Sequence, residues 1–195
     1  MSAPPGYRSL DFSDEDRTDE RLAQLSASGW VRGMFFQEIV DEAKRASATL
    51  DADSTYTPFH KYPLSSYIRL LQRAARAIHP SAPFHESLYR LGHASYPNFA
   101  ESLAGKALFA VAAGDFGRVV SLGGRAYAAI GEPARVQTRL VGEREAVVHH
   151  YDNFAYPGSY QAGVVAGAML ATGVTGSIYV NEISLSESKI LVRWN

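Results

Sequence analysis

Cysteine is missing from the chain altogether. That one absence removes disulfides, thiol catalysis, iron–sulfur clusters and cysteine-held zinc, and it is compatible with a cytoplasmic setting. Net charge is nearly missing too: 19 lysines and arginines against 20 aspartates and glutamates leave −1 at pH 7. The two signs are interspersed, so no nucleic-acid partner is expected. No basic segment followed by an apolar core and a small-residue cleavage site opens the sequence, and secretion is not expected. The apolar stretch from Pro157 to Thr172 falls short of the ~20 residues a bilayer requires, so no membrane span is expected either.

The short motifs of common chemistries are also absent. Gly114, Gly117, Gly123 and Gly124 form neither a phosphate-cradling loop nor a dinucleotide fingerprint, and no Gly-x-Ser-x-Gly nucleophile elbow occurs. His149 and His150 are neighbours on an expected strand and therefore point to opposite faces. His60, His79, His85 and His93 lack the spacing of a local metal site. These residues predict no catalytic site and no metal site, and an enzyme is not expected.

What is present is a core. The 195 residues are 46% hydrophobic, enough for one sizeable domain and too few for two. Its organisation centres on residues 134–195. There Val136, Thr138 and Leu140 alternate with Arg135, Gln137 and Arg139, the period of a strand that is wet on one face. After a turn at Gly142-Glu143 the chain returns through Ala146 to Tyr151, which predicts an antiparallel hairpin. A helix from Pro157 to Thr172 follows. It has no polar side chain between Ala162 and Ala171, so it must be covered on more than one side. Gly163 and Gly167 share one face of it and allow another backbone to come close. Ser177 to Ile183 and Lys189 to Trp194 read as two further strands, the second with Ile190, Val192 and Trp194 on one face.

Upstream the pattern is helical. An acidic leader, residues 1–20 with Asp11, Asp14, Glu15, Asp16, Asp19 and Glu20, is expected to be flexible and solvated. A first helix is predicted from Trp30 to about Ala46, on an apolar stripe of Val31, Met34, Phe35 and Ile39. A second runs from Pro63 to Pro80, with Leu64, Tyr67, Ile68, Leu71, Ala75 and Ile78 as its apolar face. A third spans Ser81 to Ser95, and Pro97 predicts a break. The fourth, Asn98 to Ala113, turns Phe99, Leu103, Ala107, Leu108 and Val111 inward. A fifth opens on an N-cap at Asp115 and stops at Gly131. The sum is one α+β domain over residues 21–195. It has about five helices followed by strand, strand, helix, strand, strand, with the helices on one face of a four-stranded antiparallel sheet.

Aromatic side chains are plentiful, at 11 Tyr, 9 Phe and 2 Trp. Tyr127, Tyr151, Tyr156 and Tyr160 gather where the last helices meet the hairpin. They either fill the core of a narrow sheet or line an apolar pocket with a few hydroxyls for orientation, as small-molecule sites do.

A set of ordered motifs carries a family likeness. Val31-Arg32-Gly33-Met34-Phe35-Phe36, Tyr62-Pro63-Leu64, Arg90-Leu91-Gly92, Tyr96-Pro97-Asn98-Phe99-Ala100, Gly105 to Val111 with Gly114-Asp115, Tyr160-Gln161-Ala162-Gly163 and the closing Arg193-Trp194 resemble a myxobacterial paralogous family of unknown function. The likeness covers residues 30–195. That family in turn resembles a superfamily of heme–nitric-oxide-binding sensor domains, vinyl-4-reductase-like ligand domains and subunits of the TRAPP tethering complex. The resemblance implies binding of a small apolar ligand or another protein subunit, often as a homodimer, and no reaction. It also implies departures. The iron-holding histidine of the heme domains belongs on the helix before the hairpin, and Phe116 to Ile130 contains none. Their Tyr-x-Ser-x-Arg clamp on the heme propionates is matched only by Tyr151-x-Asn153-x-Ala155, without the arginine. Heme is therefore disfavoured and no cofactor is expected.

The resulting expectation is a non-enzymatic small-molecule-binding or sensory domain with an apolar pocket between helices and sheet. Tyr127, His149, Tyr151 and Tyr160 would be its polar points, with at most one of the two adjacent histidines inside, and Val164 and Ala168 would stand in its wall. The alternative is a homo- or hetero-oligomeric interaction module that docks through the all-apolar helix or another helix face.

Overall fold

The computed structural model describes residues 3–195 apart from 11, 102 and 113, and apart from the side chains at 98, 103, 104, 107–109 and 126. β1 (Arg8–Ser9) and α1 (Thr18–Ala23) lie in the leader. β2 (Trp30–Arg32) leads into α2 (Gly33–Arg45), and β3 (Lys61–Pro63) into α3 (Leu64–Ile78). α4 (Phe84–Glu101), α5 (Leu103–Ala112) and α6 (Phe116–Ile130) complete the helical layer. β4 (Gly131–Glu132) connects to the hairpin of β5 (Arg135–Gly142) and β6 (Glu145–Tyr151), and α7 (Tyr160–Ala171), β7 (Gly176–Ser184) and β8 (Glu187–Trp194) follow.

The fold is α+β. Its main sheet has the order β1-β7-β8-β6-β5, antiparallel throughout. Pairing of Val136 with His150, and of Val148 with both Thr138 and Ile190, turns one set of side chains toward the helices. Ala146, Val148, His150, Ile190 and Val192 are buried on that face. The strand-strand-helix-strand-strand order predicted for the second half is the order found. So is the α3 stripe, in which Leu64, Tyr67, Ile68, Leu71 and Ala75 are all buried. Each fully buried aliphatic side chain of this kind contributes roughly 1.5–3 kcal/mol relative to exposure. Asp115 caps α6 as expected, its Oδ1 accepting the Arg118 amide N–H at 2.8 Å.

Several expectations are corrected. The sheet has five strands, because β1 of the leader adds to the β7 edge through backbone pairing of Arg8 with Val180, a contact that leaves no side-chain pattern. A second sheet, β3-β2-β4, was not expected; its strands are two or three residues long, too short for alternation to register. The leader is laid against the domain. Asp14 accepts the Phe84 amide N–H at 2.9 Å, capping α4, and pairs with Arg76 at 2.8 Å, while Asp16 accepts from Gln72 at 2.8 Å. Its acids thus have partners that composition does not reveal.

Pro97 does not end a helix; α4 passes through it. Proline leaves the His93 carbonyl without its helical donor. That carbonyl faces Gly167 of α7, where a Cβ would stand 2.6 Å from the oxygen. The same two helices touch backbone to backbone at Gly92, whose Cβ would meet the Tyr160 carbonyl oxygen at 2.1 Å, and at Gly163, whose Cβ would meet that of Tyr89 at 2.1 Å. The small residues expected to admit a close neighbour have one, and it is α4. Of the inward face expected for residues 98–113, Val111 is exposed instead, and the side chains of Leu103, Ala107 and Leu108 lie outside the described residues. Among the described residues no helix is long and apolar enough to cross a membrane.

Candidate functional site

Two apolar cores form and do not merge. One joins α2, α3 and the first half of α4 to Phe154, Ala155, Tyr156 and Tyr160. The other joins the sheet to α6 and α7 through Val120, Val148, Val165, Ala168 and Ile190. The seam between them holds a cavity of about 160 Å³. Phe35, Leu64, Phe99, Val120, Val148 and Val165 supply apolar wall from both sides.

Its polar atoms arrive in two groups. From the sheet side comes His150, 2% exposed, on the inward phase of β6. The Oδ1 of Asn153 accepts the Ala155 amide N–H at 3.1 Å, so the Asn153 amide must turn its NH2 outward, and Nδ2 stands 3.0 Å from Nδ1 of His150. Nδ1 is therefore the acceptor, and the neutral imidazole carries its proton on Nε2. That Nε2 is buried and has no hydrogen-bond partner among the described residues. Burial, and secondarily the nearby His149, pushes His150 down to about 3, so it stays neutral at physiological pH. The Tyr127 ring packs edge-on to this imidazole at 5.6 Å between centroids, and its hydroxyl donates to Gln161 Oε1. Gln161 Nε2 closes the ring of bonds on the Ala155 carbonyl at 3.4 Å.

From the helical side comes Glu38 of α2. The Phe99 backbone N–H donates to its carboxyl, and its Oε1 is buried without a partner among the described residues. Burial pushes Glu38 up to about 8, which leaves it protonated at neutral pH. Tyr67 and Tyr160, whose hydroxyls are 3.0 Å apart, also border the cavity, and burial pushes Tyr160 up to about 12.

Of the residues expected from sequence, Tyr127, Tyr160, Val164 and Ala168 come together on this one cavity. His149 and Tyr151 do not. They lie on the outer face of the hairpin, where His149 Nε2 meets Glu187 Oε1 at 2.8 Å and the two rings stack at 3.7 Å. Strand phase is the reason: with Val147 and Val148 both apolar, β6 shows no wet side in its sequence, and only the pairing of Val136 with His150 fixes which histidine turns inward. Glu38 was missed although a signal existed. It is a carboxylate set within the apolar stripe of Met34, Phe35 and Ile39 at helical spacing. Asn153 and Gln161 carry no such signal, since their roles follow from a turn and a partner 34 residues away.

Solved structures with this architecture include H-NOX proteins. The Fe(II) unliganded H-NOX protein from K. algicida matches with a TM-score of 0.62 at 14% identity, over 84% of this chain and 96% of that chain. A structure described as probing heme distortion in the H-NOX family matches with a TM-score of 0.62 at 13% identity, over 84% and 95%. A mutant H-NOX from T. tengcongensis gives 0.58 at 13%, over 80% and 86%. The protein thus has an H-NOX-like fold. The chain belongs to the family described as Protein of unknown function (DUF2378), whose model matches residues 25–195. No curated protein matches it in sequence.

Proposed function

We propose that this protein is a non-enzymatic, cytoplasmic ligand-binding domain of sensory type, which takes one small and largely apolar molecule into the seam between its two cores. The observation that carries the reading is the cavity itself: an apolar space bordered by a buried imidazole N–H with no partner among the described residues. An unmet buried donor costs roughly 1–3 kcal/mol, and a ligand acceptor would recover that. The volume suits a molecule of about one ring, since an engineered apolar cavity of ~150 Å³ binds benzene. His150, at about 3, is too weak a base to serve general base catalysis near neutrality, which favours holding over reacting.

Heme does not suit this donor set. α6 offers no histidine, no Lys or Arg occurs among the described lining residues to pair with propionates, and the proton on His150 Nε2 occupies the lone-pair position a metal would need. The interaction-module alternative draws less support from the all-apolar α7, because α4 and the sheet already cover most of it and leave only its last turn, at Leu170 and Ala171, exposed.

Native mass spectrometry of freshly purified protein, repeated after denaturation, tests the proposal. A single non-covalent mass excess per chain, lost on denaturation and lost in Val164→Trp, is the expected result. An excess that persists unchanged in Val164→Trp would place the ligand elsewhere and overturn the assignment.

A further inference from the structure

Two buried polar atoms on the cavity residues have no partner among the described residues, and they share a character. His150 presents Nε2–H, because Nδ1 is committed to Asn153. Glu38 has already taken the Phe99 N–H, and its free Oε1 faces walls that include no lysine or arginine among the described residues. A carboxyl in that setting keeps its proton and becomes a second donor. The cavity therefore offers donors from the sheet side and from the helical side; among its described lining residues there is no lysine or arginine, and the one other carboxylate, Glu132, is exposed to solvent.

We propose that the site selects a neutral carbonyl compound of about one-ring size, a ketone, ester or lactone, whose oxygen accepts the Nε2–H of His150 while its hydrocarbon body fills the apolar seam. This rests on the ligand-binding reading above. Complementarity excludes the charged relatives. A carboxylate ligand brings a negative charge into walls that hold no lysine or arginine among the described residues. An ammonium ligand finds an anion among the described lining residues only at the exposed Glu132 or by ionising Glu38 inside an apolar wall, and it still turns donors toward the donor on His150. A hydrocarbon of the same shape fits but leaves that N–H unmet.

The test uses the full chain and four probes: acetophenone, its planar hydrocarbon isostere α-methylstyrene, benzoate and benzylamine, each titrated against backbone and histidine side-chain NMR signals. Acetophenone is expected to bind about tenfold more tightly than α-methylstyrene, with both charged probes weaker than the hydrocarbon. In the wild-type protein the His150 Nε2–H resonance moves downfield with acetophenone and not with α-methylstyrene. His150→Phe brings the affinity ratio of the two neutral probes to about one. Equal affinities in the wild type, a benzoate or benzylamine preference, or a ratio that survives in His150→Phe overturns the carbonyl assignment while the cavity stands. Failure of all four probes to perturb cavity residues overturns the ligand site, and this inference with it.

Discussion

Asn153 Nδ2 stands 3.0 Å from His150 Nδ1, and the direction of that hydrogen bond is fixed by a third group, the Ala155 amide held at 3.1 Å on Asn153 Oδ1. One backbone N–H thus sets the amide, the amide sets the tautomer, and the tautomer decides what the cavity offers a ligand. The expected outcome is a His150 that is protonated on Nε2 and bare on Nδ1 between about pH 5 and 8. Long-range proton–nitrogen correlation spectra read both nitrogens. Asn153→Asp, which can only accept, moves the proton to Nδ1; an unchanged tautomer in that variant would break the chain of reasoning.

Filling the seam separates a ligand site from an ordinary packing defect. Val164→Trp and Ala168→Phe put bulk into the cavity wall and are expected to abolish uptake of acetophenone in the same titration. Because the new side chain enters existing space, each costs less than the roughly 1–3 kcal/mol of overpacking a filled core. Leu170→Phe, on the exposed side of the same helix, leaves uptake unchanged.

Two buried groups of the cavity pull the pH dependence of stability in opposite senses. His150 is lowered from 6.5 to about 3, so the unfolded chain binds a proton that the native protein refuses, and stability is lost as pH falls below about 6.5. Glu38 is raised from 4.5 to about 8, so the native protein keeps a proton that the unfolded chain releases, and stability is lost as pH rises from about 4.5 to 8. Between about 4.5 and 6.5 these two slopes offset, while burial of His79 and His85 adds to the loss on the acid side. Melting temperatures measured across the range should fall on both the acid and the alkaline side, and Glu38→Gln should remove most of the alkaline decline. A decline identical to wild type in Glu38→Gln would mean that Glu38 is ionised in the native protein.

Contact between α4 and α7 is intolerant of a single methyl group. A Cβ at Gly163 would lie 2.1 Å from the Tyr89 carbonyl oxygen, so Gly163→Ala forces the helices apart. Overpacking by about 3 kcal/mol lowers the melting temperature by roughly 6–12 °C in a chain of this size. Gly123, with open space at its Cβ position, gives the opposite result. Gly123→Ala stabilises α6 by roughly 0.5–1 kcal/mol through helix propensity. Thermal melts of the two variants decide between these directions.

Much of the fold is legible in the sequence because its segments repeat at one period for long enough. The α3 stripe spans four turns, and β5 alternates from Arg135 to Leu140, so both the helical layer and the sheet emerge from pattern alone. β1, β2 and β3 are too short to repeat, and they are held by backbone pairing to strands far away in the chain. The leader reads as solvated because its acids look unpartnered until Arg76, Gln72 and the α4 N-terminus are brought beside them. In the cavity, Tyr127, Tyr160, Val164 and Ala168 could be foreseen as residues where α6 and α7 meet the hairpin. His150 could not be chosen over His149, since that choice depends on register with β5. Glu38 stood in plain view as a carboxylate on an apolar stripe.

The most direct test of the central claim is diffraction from a crystal of the protein pressurised with xenon, which enters apolar cavities without needing any particular ligand chemistry. Xenon density in the seam beside Val148, Val164 and Ala168 is the predicted result. A seam closed by its own side chains, with xenon absent there or bound only at the surface, would contradict the account.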